Sequence, residues 1–297
     1  MKVYDNLDIS KVIEAKPDIT CIGAFDGIHL GHQALIKLAK TISSNYQILT
    51  FEPVPKKYFN NLHELLSTKD MKVDILSKHN PDSIIFMNFE DVKDLSPVTF
   101  CTILSNKLNT KSIVVGKDFK FGKNREGDVN FLINHFGSSN VHVLDDYEVN
   151  DVKISSTLIK SSISEGKLNL ANQYLGYNFK LTGKVVHGNR KGHEIGFPTA
   201  NISINTNLVV PKYGVYEVKV LVNDEIHEGI MNIGIRPTVS NELKVSFETH
   251  ILNFDEDIYD SVIEVELLSF IREEIKFENL QQLQSQILID INSIKNK

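Results

Sequence analysis

Hydrophobic periodicity changes once along this chain, and that change limits the folds open to it. Before about Lys180, apolar runs of strand length and β-branched content occur at Ile19–Phe25, Gln47–Phe51, Ser83–Met87, Ser112–Gly116 and Val141–Leu144. Helical patterns lie between them. Leu35, Leu38, Ala39 and Ile42 repeat at helical spacing, and a second helix runs from about Thr68. Ser96-Pro97 reads as an N-cap followed by proline at the first helical position. Strands alternating with helices predict a mostly parallel sheet covered by helices on both faces, with ligands beyond the carboxyl ends of its strands.

After Lys180 the period falls to two. Tyr216, Val218, Val220 and Val222 share one face of a strand, as do Val245, Phe247, Thr249 and Ile251, and again Ile263, Val265 and Leu267. Short alternating strands at close spacing predict a small antiparallel barrel or sandwich. Leu280, Leu283, Ile287 and Ile291 form a helical stripe suited to cover it. Ser155–Leu175 reads as two short helices broken near Glu165-Gly166. The chain is therefore expected to hold an α/β domain over 1–178 and a β domain over 179–297.

Composition narrows the function. A length of 297 residues suffices for two cores. No apolar run approaches the roughly 20 residues that span a bilayer, and Met1–Asp5 opens no long apolar stretch. Neither a membrane partner nor a signal peptide is expected, and cytoplasm is the default location. Cys21 and Cys101 sit in apolar stretches and are expected buried and reduced; two cysteines make no zinc site by themselves. The net charge is −6, balanced over the first 180 residues and acidic after them. Neither half is the basic body that nucleic acid requires. Oligomeric state is not legible.

Three stretches of the first half carry chemistry. In Gly23-Ala24-Phe25-Asp26-Gly27-Ile28-His29-Leu30-Gly31-His32, a strand passes through a glycine turn into a helix. Glycine lets the backbone approach a phosphate, and a helix start offers N–H groups and a positive dipole end. His29 and His32, three apart, face the same anion; Gly23, Phe25, Gly27 and Gly31 are the candidate nucleotide contacts around them. Val115–Gly127 is a basic, glycine-rich loop that includes Asp118. It is not a P-loop: five residues separate Gly116 from Gly122, Asn124 stands where Ser or Thr belongs, and no apolar helix clearly follows. In Lys153–Lys160, Ser156 and Thr157 either cap a helix or, between Lys153 and Lys160, grip a triphosphate.

The second half contains the most ordered string, Gly183–Ile202. Gly188, Lys191, Gly192 and Gly196 form a loop able to cover phosphates, and Pro198 stiffens the following turn. Thr199 and Asn201 offer hard oxygen ligands, suited to a Mg²⁺ ion that also binds phosphates. Glu248 lies on the strand face opposite Phe247 and Thr249, where a carboxylate can accept a proton from a substrate hydroxyl.

Together these blocks resemble the bacterial bifunctional riboflavin kinase/FAD synthetase family over nearly the whole chain. The first half is similar to its adenylyltransferase domain at Gly23–His32, Leu49–Pro55, Val115–Gly122 and Lys153–Lys160. The second is similar to its kinase domain at Gly183–Asn201, Gly214–Tyr216, Asn232–Thr238, Phe247–Ile251, Asp257–Tyr259 and Ile271–Phe277. The resemblance implies a Rossmann-like nucleotidyltransferase domain and a six-stranded barrel with a terminal helix. It implies two reactions: riboflavin and ATP give FMN and ADP, then FMN and a second ATP give FAD and pyrophosphate. Flavins are then substrate and product rather than prosthetic groups.

It further implies that His29 and His32 stabilise the α-phosphate, that Ser156 and Thr157 hold the departing phosphates, and that Asp118 lies near the substrate. Thr199 and Asn201 would bind Mg²⁺-ATP, Glu248 would be the base, and Arg272 is a candidate near the flavin. The chain departs from the family pattern at Ala24, often Asn; at Val54, usually His; at Lys153 and Lys160, usually Arg; and at His193, commonly Arg. Lysine keeps the charge but loses the bidentate fork. A kinase with an inactive first domain and a non-catalytic flavin-binding regulator are the alternatives. The His29/His32 pair argues against the first, and the Thr199, Asn201 and Glu248 set against the second.

Overall fold

The computed structural model describes residues 1–5, 13, 15–60, 64–188, 196–204, 207–237 and 243–295. The chain divides into two compact units, Met1–Leu158 and Ile159–Lys297. The two helices at Ser155–Leu175 thus fall mostly with the second unit.

The first unit runs β1 (Lys2–Tyr4), β2 (Ile19–Ile22), α1 (Leu30–Ile42), β3 (Tyr46–Glu52), α2 (Pro55–Phe59), α3 (Lys69–Ser77) and β4 (Ser83–Asn88). It continues through α4 (Phe89–Val92), α5 (Pro97–Asn106), β5 (Ser112–Gly116), α6 (Val129–Phe136), β6 (Val141–Leu144), β7 (Glu148–Val149) and β8 (Val152–Lys153), and α7 (Ser156–Ser164) follows. Six strands pair in the order β1-β4-β3-β2-β5-β6, every pairing parallel. The expected alternation is therefore present, and its strands read as unbroken apolar runs because both faces are covered. Leu49, Phe51, Ile85, Met87, Ile113 and Val115 cluster with Phe100 and Leu104 of α5 and Leu132 of α6. Helix α1 packs on β2 and β5 outside that cluster, and so covers the other face. Each fully buried Ile, Leu or Phe contributes about 1.5–3 kcal/mol, which makes this two-sided burial the main support of the sheet.

Caps set the helix starts. Thr68 accepts from the Met71 N–H and Ser96 from the Thr99 N–H, as their sequence positions predict. Helix α6 corrects one expectation: an apolar helix does follow the glycine-rich loop. The P-loop is excluded on other grounds, because the Asp128 carboxylate already caps α6 by accepting from the Phe131 N–H at 3.0 Å. An anion there would meet a negative charge. Strand β2 also ends at Ile22, short of the expected Phe25, because the chain turns at Gly23.

The second unit adds α8 (Leu168–Leu175), β9 (Phe179–Val186), β10 (Ala200–Ile204), β11 (Gly214–Val222), β12 (Glu225–Pro237), β13 (Leu243–Ile251), β14 (Val262–Arg272) and α9 (Leu280–Lys295). Strands β9–β14 close an antiparallel barrel in the order β10-β13-β12-β11-β14-β9. Closure leaves no sheet edge exposed. Asn223 and Asp224, both at positive φ, form the two-residue hairpin between β11 and β12. Alternation then buries Tyr216, Val218, Val220 and Val222 inside and turns their neighbours outward. Helix α9 covers the barrel with Ile287, Ile291 and Ile294, which join Val215, Ile230 and Leu252. The expected stripe is thus shifted toward the C-terminus; Leu280, its first member, is exposed. Both cysteines are buried and unbonded.

Candidate active sites

In the first unit the turn from β2 to α1 is built from strained backbone. Phe25, Gly27 and Ile28 all have positive φ, which non-glycine residues hold only when their surroundings over-determine it. Those surroundings are specific. The Asp26 carboxylate accepts the Leu66 N–H at 2.8 Å, Ser67 Oγ accepts the Gly27 N–H at 3.1 Å, and Ser156 Oγ donates to the Asp26 carbonyl at 2.9 Å. A Cβ on Gly27 would also lie 2.7 Å from Leu66.

The turn delivers two histidines to the start of α1. His29 is the N-cap residue, yet its side chain makes no capping bond, and the first turn carries no acid. The positive end of α1 is therefore not neutralised by its own residues, in contrast to α6. The His29 and His32 rings stack at 3.8 Å and 20°, with Phe25 behind His32 at 5.1 Å. Nδ1 of each histidine is buried without a hydrogen-bond partner. Burial holds His29 down at about 4, against the opposing pull of Asp26. Burial, then the His29 and Lys72 charges, keeps His32 well below its ordinary value. Both rings are neutral at pH 7, and the hydrogen-bonding capacity of each Nδ1 is unused.

They line a cavity of about 270 Å³ together with Gly23, Gly31, Asp118 and Lys153. The structure thus gathers six of the sequence candidates. Phe25 is wholly buried and supports the ring stack instead of lining the cavity. Ser156, Thr157 and Lys160 stand on α7, outside the cavity wall. Thr157 Oγ1 accepts from Lys56 Nζ at 3.3 Å, a lysine sequence reasoning passed over. Lys153 ends the short β7–β8 hairpin, where it pairs with Asp118 at 2.6 Å and Asp146 at 2.7 Å; Lys117 also holds Asp146, at 2.8 Å. These bonds push Lys153 up to about 12, Asp118 first among the causes. Sequence reasoning also missed an aromatic cluster beyond the ends of β3 and β4: Tyr58, Phe59 and Phe89 meet edge to face at 5.4–5.7 Å, and Phe59 is 74% exposed.

In the second unit, Asn201 of β10 and Asn232 of β12 stand in register on either side of Glu248 of β13. Their strand neighbours Ile202, Met231, Ile233 and Thr249 are buried, so alternation puts the three polar side chains on the outer face. Asn232 Nδ2 also donates to Glu274 Oε1 at 3.4 Å. Gly188 closes on this row: a Cβ there would lie 2.1 Å from Asn201 Nδ2. The His250 ring holds the strand entry, its Nδ1 donating to the Pro198 carbonyl at 2.7 Å. A carbonyl only accepts, so Nδ1 carries the proton.

Beside the row lies a cavity of about 680 Å³, lined in part by Val185, Pro198, Thr199, Thr249, Ile258 and Tyr259. Tyr259 packs on His187 at 3.9 Å. The Thr249 hydroxyl is buried in the wall without a partner. Gly196, at positive φ, is exposed before Pro198. Lys191 and Gly192 lie outside the described residues. Arg272 makes a buried pair: its Nε and Nη2 donate to the Asp290 carboxylate at 2.8–3.1 Å, and Nη1 donates to the Glu273 carbonyl. Among the described residues, no group of three or more His, Cys, Asp or Glu side chains could hold a metal. A hydroxyl and an amide oxygen suit an ion that keeps waters and phosphates as its other ligands.

Known proteins match both units. A riboflavin kinase family model covers residues 175–297, and an FAD synthetase model covers 12–158. A bifunctional riboflavin kinase/FMN adenylyltransferase of Listeria monocytogenes is 37% identical, across 94% of this chain and 90% of that one. The protein of the same description from Buchnera aphidicola (Schizaphis graminum) is 36% identical, across 99% and 98%. A crystal structure described as a macrolide-efflux protein from Streptococcus pneumoniae superposes over both whole chains, with TM-score 0.91 and 27% identity. That likeness concerns the fold; among the described residues no helix is long and apolar enough to cross a membrane. With both units matched and relatives aligned end to end, the chain belongs to the bifunctional riboflavin kinase/FMN adenylyltransferase family.

Proposed function

We propose that the second unit phosphorylates riboflavin with ATP to give FMN, and that the first transfers the AMP moiety of a second ATP to FMN. The observation that carries this reading is that each unit holds its own group of candidate catalytic side chains. One has two neutral stacked histidines at an uncapped helix start; the other has a carboxylate flanked by two amides beside a cavity.

In the kinase step the ribityl 5′-hydroxyl oxygen attacks the γ-phosphorus, its proton passes to Glu248, and the bond to the β-phosphate oxygen breaks to release ADP. Asn201 and Asn232 orient Glu248 from either side. The cavity beside Thr199 receives the adenine, with the Tyr259 face and the Thr249 hydroxyl as contacts. Thr199 and Asn201 would hold Mg²⁺, which when bound with ATP offsets charge on the phosphates. Gly188, Gly196 and Pro198 shape the entry to this site.

In the adenylyl step an FMN phosphate oxygen attacks the α-phosphorus and the bond to the β-phosphate oxygen breaks, releasing pyrophosphate. His29 and His32 each donate a hydrogen bond to the α-phosphate as charge gathers there, and the α1 N-terminus adds its dipole. Lys153 must exchange one of its carboxylate partners for phosphate. Ser156 and Thr157 sit beyond the cavity, suited to the departing phosphates. Tyr58, Phe59 and Phe89 offer an aromatic face to the isoalloxazine. This chemistry is compatible with a cytoplasmic location.

Paired variants test the assignment. Glu248→Gln is expected to lower riboflavin-to-FMN conversion by about 10²–10⁴ and to leave FMN-to-FAD conversion intact. His29→Ala is expected to do the reverse, by about 10²–10³. A variant that lowers both activities equally would refute the division of labour.

A further inference from the structure

A buried lysine beneath the first site has no part in the mechanism above. Lys72, on the first full turn of α3, is 1% exposed. Its Nζ donates to the Ala24 carbonyl at 3.4 Å, and Thr50 Oγ1 donates to the same carbonyl at 3.0 Å. Ala24 opens the strained turn that carries His29 and His32. The lead-in to α3 supports that turn again, through the Leu66 N–H and Ser67 Oγ. An ammonium withdrawn from water is costly, and a Leu or Met would fill the same space without that cost. Its charge therefore calls for a reason beyond packing.

We propose that Lys72 is a positioning residue of the adenylyl-transfer site: its buried ammonium pins the Ala24 carbonyl and sets a fixed positive charge behind His32 and the phosphates that the turn receives. The proposal rests on the reading of the first unit as an adenylyl-transfer site. The charge acts in two ways. It opposes protonation of His32, after burial and His29, and so keeps the stacked pair from carrying two like charges. It also raises the potential of a cavity whose lysines 117 and 153 are already paired with Asp146 and Asp118. His29, Lys117, Asp118, Asp145, Asp146 and Lys153 line the same cavity as His32. Of these, the two lysines are held by carboxylates of the cavity wall, and the Lys72 charge acts on His32 from helix α3.

The test uses the full chain with Lys72→Met, Lys72→Gln and Lys72→Arg. Thermal unfolding identifies the variants that fold, and Lys72→Gln carries the test if Lys72→Met does not. FMN-to-FAD conversion is expected to fall about tenfold in the uncharged variants, with KM for ATP rising more than kcat falls, and to recover in part in Lys72→Arg. Riboflavin-to-FMN conversion, made by the other unit, is expected to stay at the wild-type rate. The His32 ring, titrated by NMR without substrates, is expected to shift its midpoint upward in Lys72→Gln. Wild-type FAD formation in Lys72→Gln, or a loss with His32 unmoved and no recovery in Lys72→Arg, would overturn the proposal. A wild-type chain that makes no FAD would instead overturn the adenylylation reading, and the His32 titration would still decide whether Lys72 supplies the charge.

Discussion

Replacing Asp290 with alanine is expected to loosen the second unit rather than disable its chemistry directly. The Asp290 side chain is 2% exposed, and Arg272 is 18% exposed. Two guanidinium nitrogens and Gln286 Nε2, at 2.9 Å, converge on its oxygens. The pair ties the end of β14 to α9 beside the small cluster of Ile291 and Val215. Removing one partner of a buried pair costs about 3–5 kcal/mol, because the other charge stays buried and unmatched. Arg272 keeps some access to water and its bond to the Glu273 carbonyl, which favours the lower end. A loss of about 3 kcal/mol in a unit of this size lowers its melting temperature by roughly 10 °C.

The assay is thermal unfolding of Asp290→Ala beside wild type, followed by circular dichroism. The double variant Arg272→Met/Asp290→Leu removes both charges and is expected to recover most of the loss. A melting temperature within 2 °C of wild type for Asp290→Ala would refute the reasoning. The double variant also settles Arg272. Recovered stability with an unchanged KM for riboflavin makes it a clamp, whereas recovered stability with a raised KM returns it to the flavin site.

Other consequences follow from particular contacts. Gly188→Ala places a methyl against the Asn201 amide and is expected to lower FMN formation at least tenfold with FMN-to-FAD conversion unchanged, read by separate initial rates. Thr249→Val removes a buried hydroxyl that has no partner, so stability is expected to rise by about 1 kcal/mol. If the hydroxyl meets the adenine, KM for ATP in FMN formation rises several-fold; urea unfolding and steady-state rates check the two effects. For His29, the folded state holds the ring near 4 and the unfolded chain near its ordinary 6.5. The unfolded state therefore binds the proton first, and the stability conferred by neutral His29 is full above about pH 6.5 and is lost as pH falls toward 4. Urea midpoints at pH 7 and pH 5 should fall further apart in wild type than in His29→Phe.

Much of the architecture was legible because it follows from periodicity. Strands buried on both faces, such as Ser83–Met87 and Ser112–Gly116, stand out as apolar runs, and the inward face of β11 as strict alternation. The parts that escaped lack such a signal. Strand β1 is three residues on the sheet edge, and the β7–β8 hairpin is mostly exposed, held by Asn150 and Asp151 at positive φ. Strand β12 contains Gly229 and Gly234, which supply no side chain to its alternating pattern. A Cβ at either would collide, with the His250 carbonyl at 2.7 Å or the Glu274 carboxylate at 2.1 Å. In the sites, residue type and order pointed to His29, His32, Asn201 and Glu248, but partnership did not show. Arg272 finds Asp290 eighteen residues on, Lys153 finds Asp118 thirty-five residues back, and Lys72 reaches Ala24 from helix α3; each depends on tertiary folding.

The most direct test of two sites in one chain is a time course of purified protein with riboflavin and Mg-ATP, its flavins separated by chromatography. FMN rising first and FAD following at its expense is the expected result. FMN accumulating without FAD would contradict the role given to His29 and His32, and no conversion of riboflavin at all would contradict the account as a whole.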